Sequence, residues 1–334
     1  MKCLDKGQGT ERLPFLLAPA AKDYLWGGSR LNDDFNLGLP VMPLAEAWMC
    51  STHPDGESTV NGVRLSEVLK EHPDWLGTHP LATMGGRAEL PILIKLIDAK
   101  KDLSVQVHPD DAYALRVEGE LGKTEMWYVL AAKPGTELVH GFRKDVTADD
   151  VREAVKNGTI GELLNHVPVY RDDLFYIEAG TVHAIGAGAL VAEIQESSNL
   201  TYRLYDYDRV DKTGKKRPLH LEKALDVIRL KSSAAPRQPM RVLKYRSGCA
   251  SELLTRCKYF QVERMLLNTE VQRELVSFQT GSNSFHALLC VEGCGSVSAP
   301  GFMLNFFRGD CLFVPAESEE LKLHGKAQFL NVSC

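Results

Sequence analysis

The sequence predicts a mainly β protein built as two β-barrels of the jelly-roll kind with a small helical segment. Three observations predict this. Short apolar runs ending in Gly, Pro or Asp recur along the chain, the pattern of strands joined by tight turns. Helical periodicity is confined to a few short stretches. After residue 231 the texture becomes almost wholly strand-like, as a second barrel would be.

The elements follow in order. Strands are predicted at LPILIKLI (90–97) and LSVQVH (103–108). A helix is predicted from Asp110 to about Glu118, opened by HPDD. MWYVLAA (126–132) is the next strand. The clearest helical stretch lies at 147–165, where Thr147 can cap the start and acidic residues fill the first turn; Gly158 should split it in two. LFYIEAG (174–180) and ALVAEIQ (189–195) are further strands, and HLEKALDVIRLK (220–231) a third helix. SSAAPRQP (232–239) reads as a linker. Beyond it come YFQVERMLL, SFHALLCVEG, GSVSA, FMLNFFRGD, CLFVPA and AQFLNVS. The expected division is therefore a first domain at 1–231, with a helical insertion near 144–168, and a C-terminal barrel at 240–334. DDLFYIEAGTVHA (172–184) and GDCLFVPAESEEL (309–321) share an acidic turn, an apolar strand and a small-residue bend, as two related barrels would.

Composition excludes several functions. The 334 residues are 44% hydrophobic and 25% charged with a formal net charge of −5, which leaves no electrostatic footprint for nucleic acid or a membrane surface. No run approaches the roughly 18 apolar residues of a membrane span, and the N-terminus does not read as a signal peptide. The eight cysteines form no CxxC pair, so reduced, mostly buried thiols in a cytoplasmic protein are expected. Neither a P-loop nor a glycine-rich nucleotide fingerprint is present.

One constellation carries chemistry. Gln106 and His108 lie two apart on a predicted strand, so both side chains leave one face while Val105 and Val107 leave the other. Glu125 opens the strand EMWYVL, and His183 follows LFYIEAG in a small-residue bend. Imidazole nitrogens with carboxylate or amide oxygens suit zinc, and a shell without thiolate suits catalysis more than structure. Singly, each residue has a bland reading: a satisfied core histidine, or a salt-bridged carboxylate on a strand end. Together they form a polar set on otherwise apolar strands, which costs free energy unless something satisfies it.

This arrangement resembles the cupins, with Gln-x-His in place of the usual His-x-His pair. LSVQVHPDD in particular is similar to the type I mannose-6-phosphate isomerases, in their short bacterial branch. LWGG (25–28), EAWMCSTHPDG (46–56), LPILIKLI, GKTEMWYVL (122–130), GTVHAI (180–185) and TYRLYDYDR (201–209) extend the resemblance in order over much of the chain. The resemblance implies one Zn²⁺ held by Gln106, His108, Glu125 and His183, and interconversion of mannose 6-phosphate and fructose 6-phosphate. The C-terminal barrel at 240–334 lacks a His-x-His or Gln-x-His strand, so no metal is expected there. Two positions depart from the family pattern: Glu178 stands where a proline is usual, and Asn199 where Asp is frequent.

An aldose–ketose isomerisation opens the sugar ring and moves a proton between C1 and C2. It needs a base over those carbons and a positive group against the enediolate oxygens. Glu193 is a carboxylate on the apolar strand ALVAEIQES, either paired with a cation or shifted in pKa. By resemblance it is the base, and Arg203, ten residues on, is the cation at the sugar carbons. Arg203 could equally stack on Tyr202 or Tyr205, or pair with Asp206 or Asp208. Ser104, Lys123 and Arg209 are expected at the substrate phosphate. Two other functions fit parts of the pattern: an Fe(II) cupin oxygenase, since two His and a carboxylate are facial-triad ligands, and a non-catalytic sugar-phosphate-binding cupin. The expected partner is a small hexose 6-phosphate, with the chain acting as a monomer or homodimer.

Overall fold

The computed structural model describes residues 12–210, 213–233, 241–271 and 274–334. Strands dominate, and the chain folds as two compact units that interleave in sequence. One comprises Ala20–Gly56 with the described part of Ile92–Met240. The other comprises the described residues up to Pro19, Glu57–Pro91 and Arg241–Cys334. The linker expected at 232–239 lies almost wholly outside the described residues.

The first unit is two antiparallel sheets. In the five-stranded sheet the order is Leu164–Pro168, Glu137–Phe142, His183–Ile185, Val105–Val107 and Tyr202–Tyr205. In the six-stranded sheet it is Leu174–Ile177, Glu125–Ala131, Leu190–Glu196, Ile92–Asp98, Glu46–Cys50 and Ala20–Lys22. Side chains alternate across each strand, so each sheet has two chemically distinct faces. Leu138 and Ile185 from one sheet pack with Ile97, Trp127, Val129, Val191 and Phe175 from the other, so the two inner faces share a core. On the outer face of the five-stranded sheet, Val105, Val107, Ala184, Tyr202 and Leu204 pack with the helical residues Val151, Ala154 and Ala224. The ladder of hydrogen bonds does not pass from one sheet into the other, so this unit is a sandwich of two sheets rather than one closed barrel.

The predicted helices form where local signals put them. Ala148–Asn157 starts with a reciprocal capping box between Thr147 and Asp150. It stops at Gly158, which sits in the left-handed region at φ +71° where a side chain is strained, and a short 3₁₀ turn follows at Ile160–Glu162. Asp110 caps Asp111–Val117 by accepting from the Tyr113 N–H. Leu221–Val227 is the third predicted helix.

The second unit is built on one nine-stranded antiparallel sheet. Its longest path runs Phe15–Leu17, Cys311–Val314, His286–Ala299, Leu321–Ser333, Gln261–Asn268, Cys249–Arg256 and Lys244–Arg246. Met265, Leu288, Cys290, Phe306, Leu312 and Phe329 lie in its core. The two predicted strands SFHALLCVEG and GSVSA are a single strand, His286–Ala299, because it keeps pairing with Leu321–Ser333 through the glycines and takes up the irregularity as a bulge between Cys290 and Glu292. Among the described residues no helix is long and apolar enough to cross a membrane. Four of the seven described cysteines, Cys50, Cys249, Cys290 and Cys311, are buried.

Candidate active site

The site lies on the inner faces of the two sheets of the first unit. Val105 and Val107 turn outward into the apolar core, so Gln106 between them turns inward. His183 pairs with Gln106 across the ladder, and Arg203 pairs with Gln106 on its other side. From the opposing sheet, Glu193 pairs with both Lys95 and Trp127, and Gln195 with Glu125. The bend before His183 is held by Gly180, whose N–H donates to the His108 carbonyl at 2.8 Å and whose φ is +86°. An added Cβ there would meet the Val227 carbonyl at 2.8 Å, so the bend that fixes both histidines requires glycine.

His108, Glu125 and His183 bring their donor atoms within 4.8 Å of one another, and all three are buried. The Nε2 atoms of the two histidines are 3.1 Å apart. His183 Nε2 is 3.4 Å from Glu125 Oε1 and 3.4 Å from Gln106 Nε2, and His108 Nε2 is 3.6 Å from Glu125 Oε2. The Thr181 carbonyl lies 2.8 Å from His183 Nδ1, which places the proton there and leaves the Nε2 lone pair facing its neighbours. Burial pushes His183 down to about 3 and His108 well below the ordinary imidazole value, Lys123 adding to the effect in both, so both rings are neutral. Neither carboxylate oxygen of Glu125 accepts a hydrogen bond. Burial, reinforced by the Glu193 charge, raises its pKa, although Lys123 lies 3.3 Å away. Two neutral imidazoles aimed at each other beside a buried, unsatisfied carboxylate are the donor set of a divalent cation, and these residues fit zinc.

A second buried group lies beside this one. Lys95 Nζ is 3.0 Å from Glu193 Oε2 and 3.8 Å from Glu46 Oε2. The Trp127 indole donates to Glu193 Oε1 at 3.0 Å, and the Trp48 indole to Glu46 Oε2 at 2.7 Å. Burial alone would raise Glu193, but the Lys95 ammonium, aided by Lys123 and by the Lys95 and Trp127 hydrogen bonds, outweighs it and holds the carboxylate ionised. Burial likewise opposes the charge on Lys95, and Glu193 and Glu46 reverse it. A cleft of about 260 Å³ is lined by Lys95, Glu193, Gln106, Lys123, Ser104, Arg203 and others, so ligand, carboxylate and cation side chains share one space.

The family profile for the catalytic domain of type I phosphomannose isomerase matches residues 15–156, and that for the cupin domain of mannose-6-phosphate isomerase matches 250–334. The mannose-6-phosphate isomerase of Streptococcus mutans is 34% identical over 95% of this chain and 97% of its own length. The chain belongs to the type I phosphomannose isomerases. The crystal structure of the Bacillus subtilis mannose 6-phosphate isomerase superposes with a TM-score of 0.85 at 32% identity, covering 96% of this chain and 99% of that one. A zinc-bound mannose 6-phosphate isomerase at 16% identity shares the fold, with a TM-score of 0.73 over 96% and 98% of the two chains.

Within this phosphomannose isomerase fold the residues singled out from sequence fall into two groups. Gln106, His108, Glu125, His183, Glu193, Arg203, Ser104 and Lys123 gather around the cleft and the buried triad beside it. Arg209 does not line it: Nε donates to the Asp206 carbonyl, Nη1 to the Asp102 carbonyl and Nη2 to the Asp206 carboxylate, and the guanidinium stacks over Tyr207. Arg203 makes none of the carboxylate pairs open to it from sequence; it donates to Ser104 Oγ at 3.3 Å and to the Pro218 carbonyl at 3.1 Å. Glu178 pairs with Arg229 on the surface, so its carboxylate is not a site group. Asn199 lines the cleft and donates to Asp55 Oδ2 at 2.7 Å.

Sequence reasoning missed Lys95, Glu46, Trp48, Trp127 and Arg217. A signal existed for the first. Lys95 is the only charge inside LPILIKLI, and a buried lysine must find carboxylates. No comparable signal marked Arg217, which lies in a basic run, KTGKKR, that reads as solvated surface.

Proposed function

We propose that this chain interconverts mannose 6-phosphate and fructose 6-phosphate by a zinc-assisted proton transfer through an enediolate, as its family membership and its cleft together support. One observation carries the reading. The cleft that passes Gln106, beside the buried triad, is lined both by Glu193, paired with Lys95, and by the Arg203 guanidinium, which donates to Ser104. Gln106, His108, Glu125 and His183 would hold one Zn²⁺, which when bound polarises the substrate oxygens it touches. Glu193 takes the proton from one of C1 and C2 and returns it to the other. Lys95 and Trp127 keep that carboxylate ionised and fix its orientation before substrate arrives. Arg203 offers a permanent positive charge to the enediolate oxygen. Lys123, 3.3 Å from Glu125, and Ser104, which accepts from Arg203, are buried with the base and add donors beside the sugar oxygens. The unit of Arg241–Cys334 serves packing or contact between copies, without a metal of its own, and the chain works in the cytoplasm as a monomer or homodimer.

An assay coupled to fructose 6-phosphate formation, run with and without a chelator, tests the reading. Activity on mannose 6-phosphate that is lost with chelator and regained with Zn²⁺ is expected. Glu193→Gln keeps the shape and one acceptor but removes the base. It should retain zinc and substrate affinity and lose about two to four orders of magnitude in turnover. Turnover near that of the wild type in this variant would exclude Glu193 as the base. Iron content with oxygen uptake would instead indicate the oxygenase, and binding without turnover the non-catalytic alternative; the ionised base in the cleft argues against both.

A further inference from the structure

The cleft holds one cation to which the reading above gives no role. Arg217 lines it together with Arg203 and Ser104. Its side chain is 27% exposed, against 5% for Glu193 and 3% for Lys95, so Arg217 stands at the mouth and the carboxylate pair at the floor. Its Nε and Nη2 donate to the two oxygens of Asp206 at 2.8 and 2.6 Å, a fork that fixes the plane of the guanidinium. Nη1 donates to none of the described residues. Asp206 is itself 5% exposed, so it acts as a buried partner that orients the guanidinium. Arg203 donates only to neutral acceptors, and its Nη1 bond to the Pro218 carbonyl ties it to the residue after Arg217. The mouth therefore carries an excess of positive charge with oriented N–H groups, while the floor is neutralised by Glu193 and Glu46 around Lys95. Arg209 has all three guanidinium nitrogens engaged by the protein and no place on the cleft wall.

We propose that Arg217, and not Arg209, anchors the 6-phosphate of the substrate at the mouth of the cleft, with Arg203 between it and the buried base. This rests on the hexose 6-phosphate reading above. The geometry sorts the substrate by depth: reacting carbons inward at Glu193, phosphate outward at a pre-oriented guanidinium. A dianion suits such a site because a guanidinium whose plane Asp206 already fixes loses little entropy on presenting Nη1 to it.

The test is calorimetric titration of mannose 6-phosphate and of inorganic phosphate into zinc-loaded wild type, Arg217→Gln, Arg217→Lys and Arg209→Gln, with steady-state kinetics on each. Arg217→Gln should weaken both ligands by about 10–100-fold, as loss of charged hydrogen bonds does, and raise KM while kcat stays within about threefold. Arg217→Lys should fall between, retaining charge without the fork, and it reports should the Gln variant fold poorly. Arg209→Gln should stay within about threefold for both ligands. Unchanged affinity in both Arg217 variants, a larger loss in Arg209→Gln, or no phosphate binding by the wild type would each overturn the proposal. The reading beneath it fails separately: a wild type that binds mannose 6-phosphate through Arg217 but never isomerises it would leave the anchor standing and remove the isomerase.

Discussion

At the scale of single residues, burial decides what each charged group can do. Glu193 and Glu196 lie three apart on one strand and meet opposite fates. Glu193 faces Lys95 and is kept ionised. Glu196 turns to the other face, accepts the Thr124 N–H at 2.6 Å and neighbours Asp111; burial, with the Asp111 charge, raises it to about 8. It is no stand-in for the base, because its acceptor is engaged by backbone away from the cleft. The sign of its pH effect follows. A carboxyl whose folded pKa is raised contributes stability that is complete below its unfolded value of about 4.3 and is lost as pH rises through about 8. Glu196→Gln keeps the acceptor for Thr124 and cannot ionise. Its Tm should therefore exceed that of the wild type at pH 9 and match it near pH 4; an equal difference at both values would mean the carboxyl does not titrate as its burial implies. Glu193 contributes in the opposite sense. Its folded pKa is lowered, so its stabilisation is present above the unfolded value and is lost as pH falls through the folded one.

At the scale of elements, the site depends on alternation and on bends more than on helices. The Gln106 strand is three residues long, yet its register sets three site groups, because His183 and Arg203 are its partners on either side. A slip of one residue would turn Gln106 into the apolar core and Val105 or Val107 into the cleft. The helix Ala148–Asn157 contributes differently. It covers the outer face of the five-stranded sheet with Val151 and Ala154, and its capping box is local and exposed. Thr147→Ala should therefore cost about 1 kcal/mol of stability by chemical denaturation. Zinc content and turnover should not change, and a loss of activity at full stability would reveal a coupling from this helix to the cleft. Two of the three predicted helices, Asp111–Val117 and Ala148–Asn157, start at side-chain caps legible in the sequence, because a cap is a local signal. The break in the sequence pattern at Gly293–Gly295 did not end its strand, because the ladder with Leu321–Ser333 overrode local propensity.

At the scale of the whole molecule, the two units share strand-rich texture but not the ligand set. Among the described residues only His108, Glu125 and His183 converge as a metal-binding group. His286 shares a hydrogen bond with Asn331 at 2.7 Å, and His324 one with Thr269 at 2.8 Å, so each is satisfied by a polar neighbour of its own unit. One zinc per chain is therefore expected by elemental analysis. His108→Ala should abolish it while leaving the circular dichroism of a folded β protein, since a core of this size does not depend on one ion; two metals per chain, or unchanged zinc in His108→Ala, would refute the assignment.

The sequence by itself determined the mainly β class, the ligand spacing and the helix caps, because period-two alternation, a Gln-x-His pair and a Thr-x-x-Asp box are all local patterns. Its resemblance to a family brought in Glu193 and Arg203. What it could not determine was which charges meet. Lys95 and Glu193 are 98 positions apart, and only the ladder between their strands makes each the answer to the other's burial. Arg209 stands out in sequence and Arg217 does not, although both are arginines near one aspartate. Only the packed loop decides that one is tied down on every nitrogen while the other keeps an edge of its guanidinium for the cleft. The interleaving of the two units is likewise beyond local reading. Residues 57–91 join 241–334 through contacts distant in sequence, and the free energy of burying those surfaces, unlike a cap or a turn, exists only once the chain has folded.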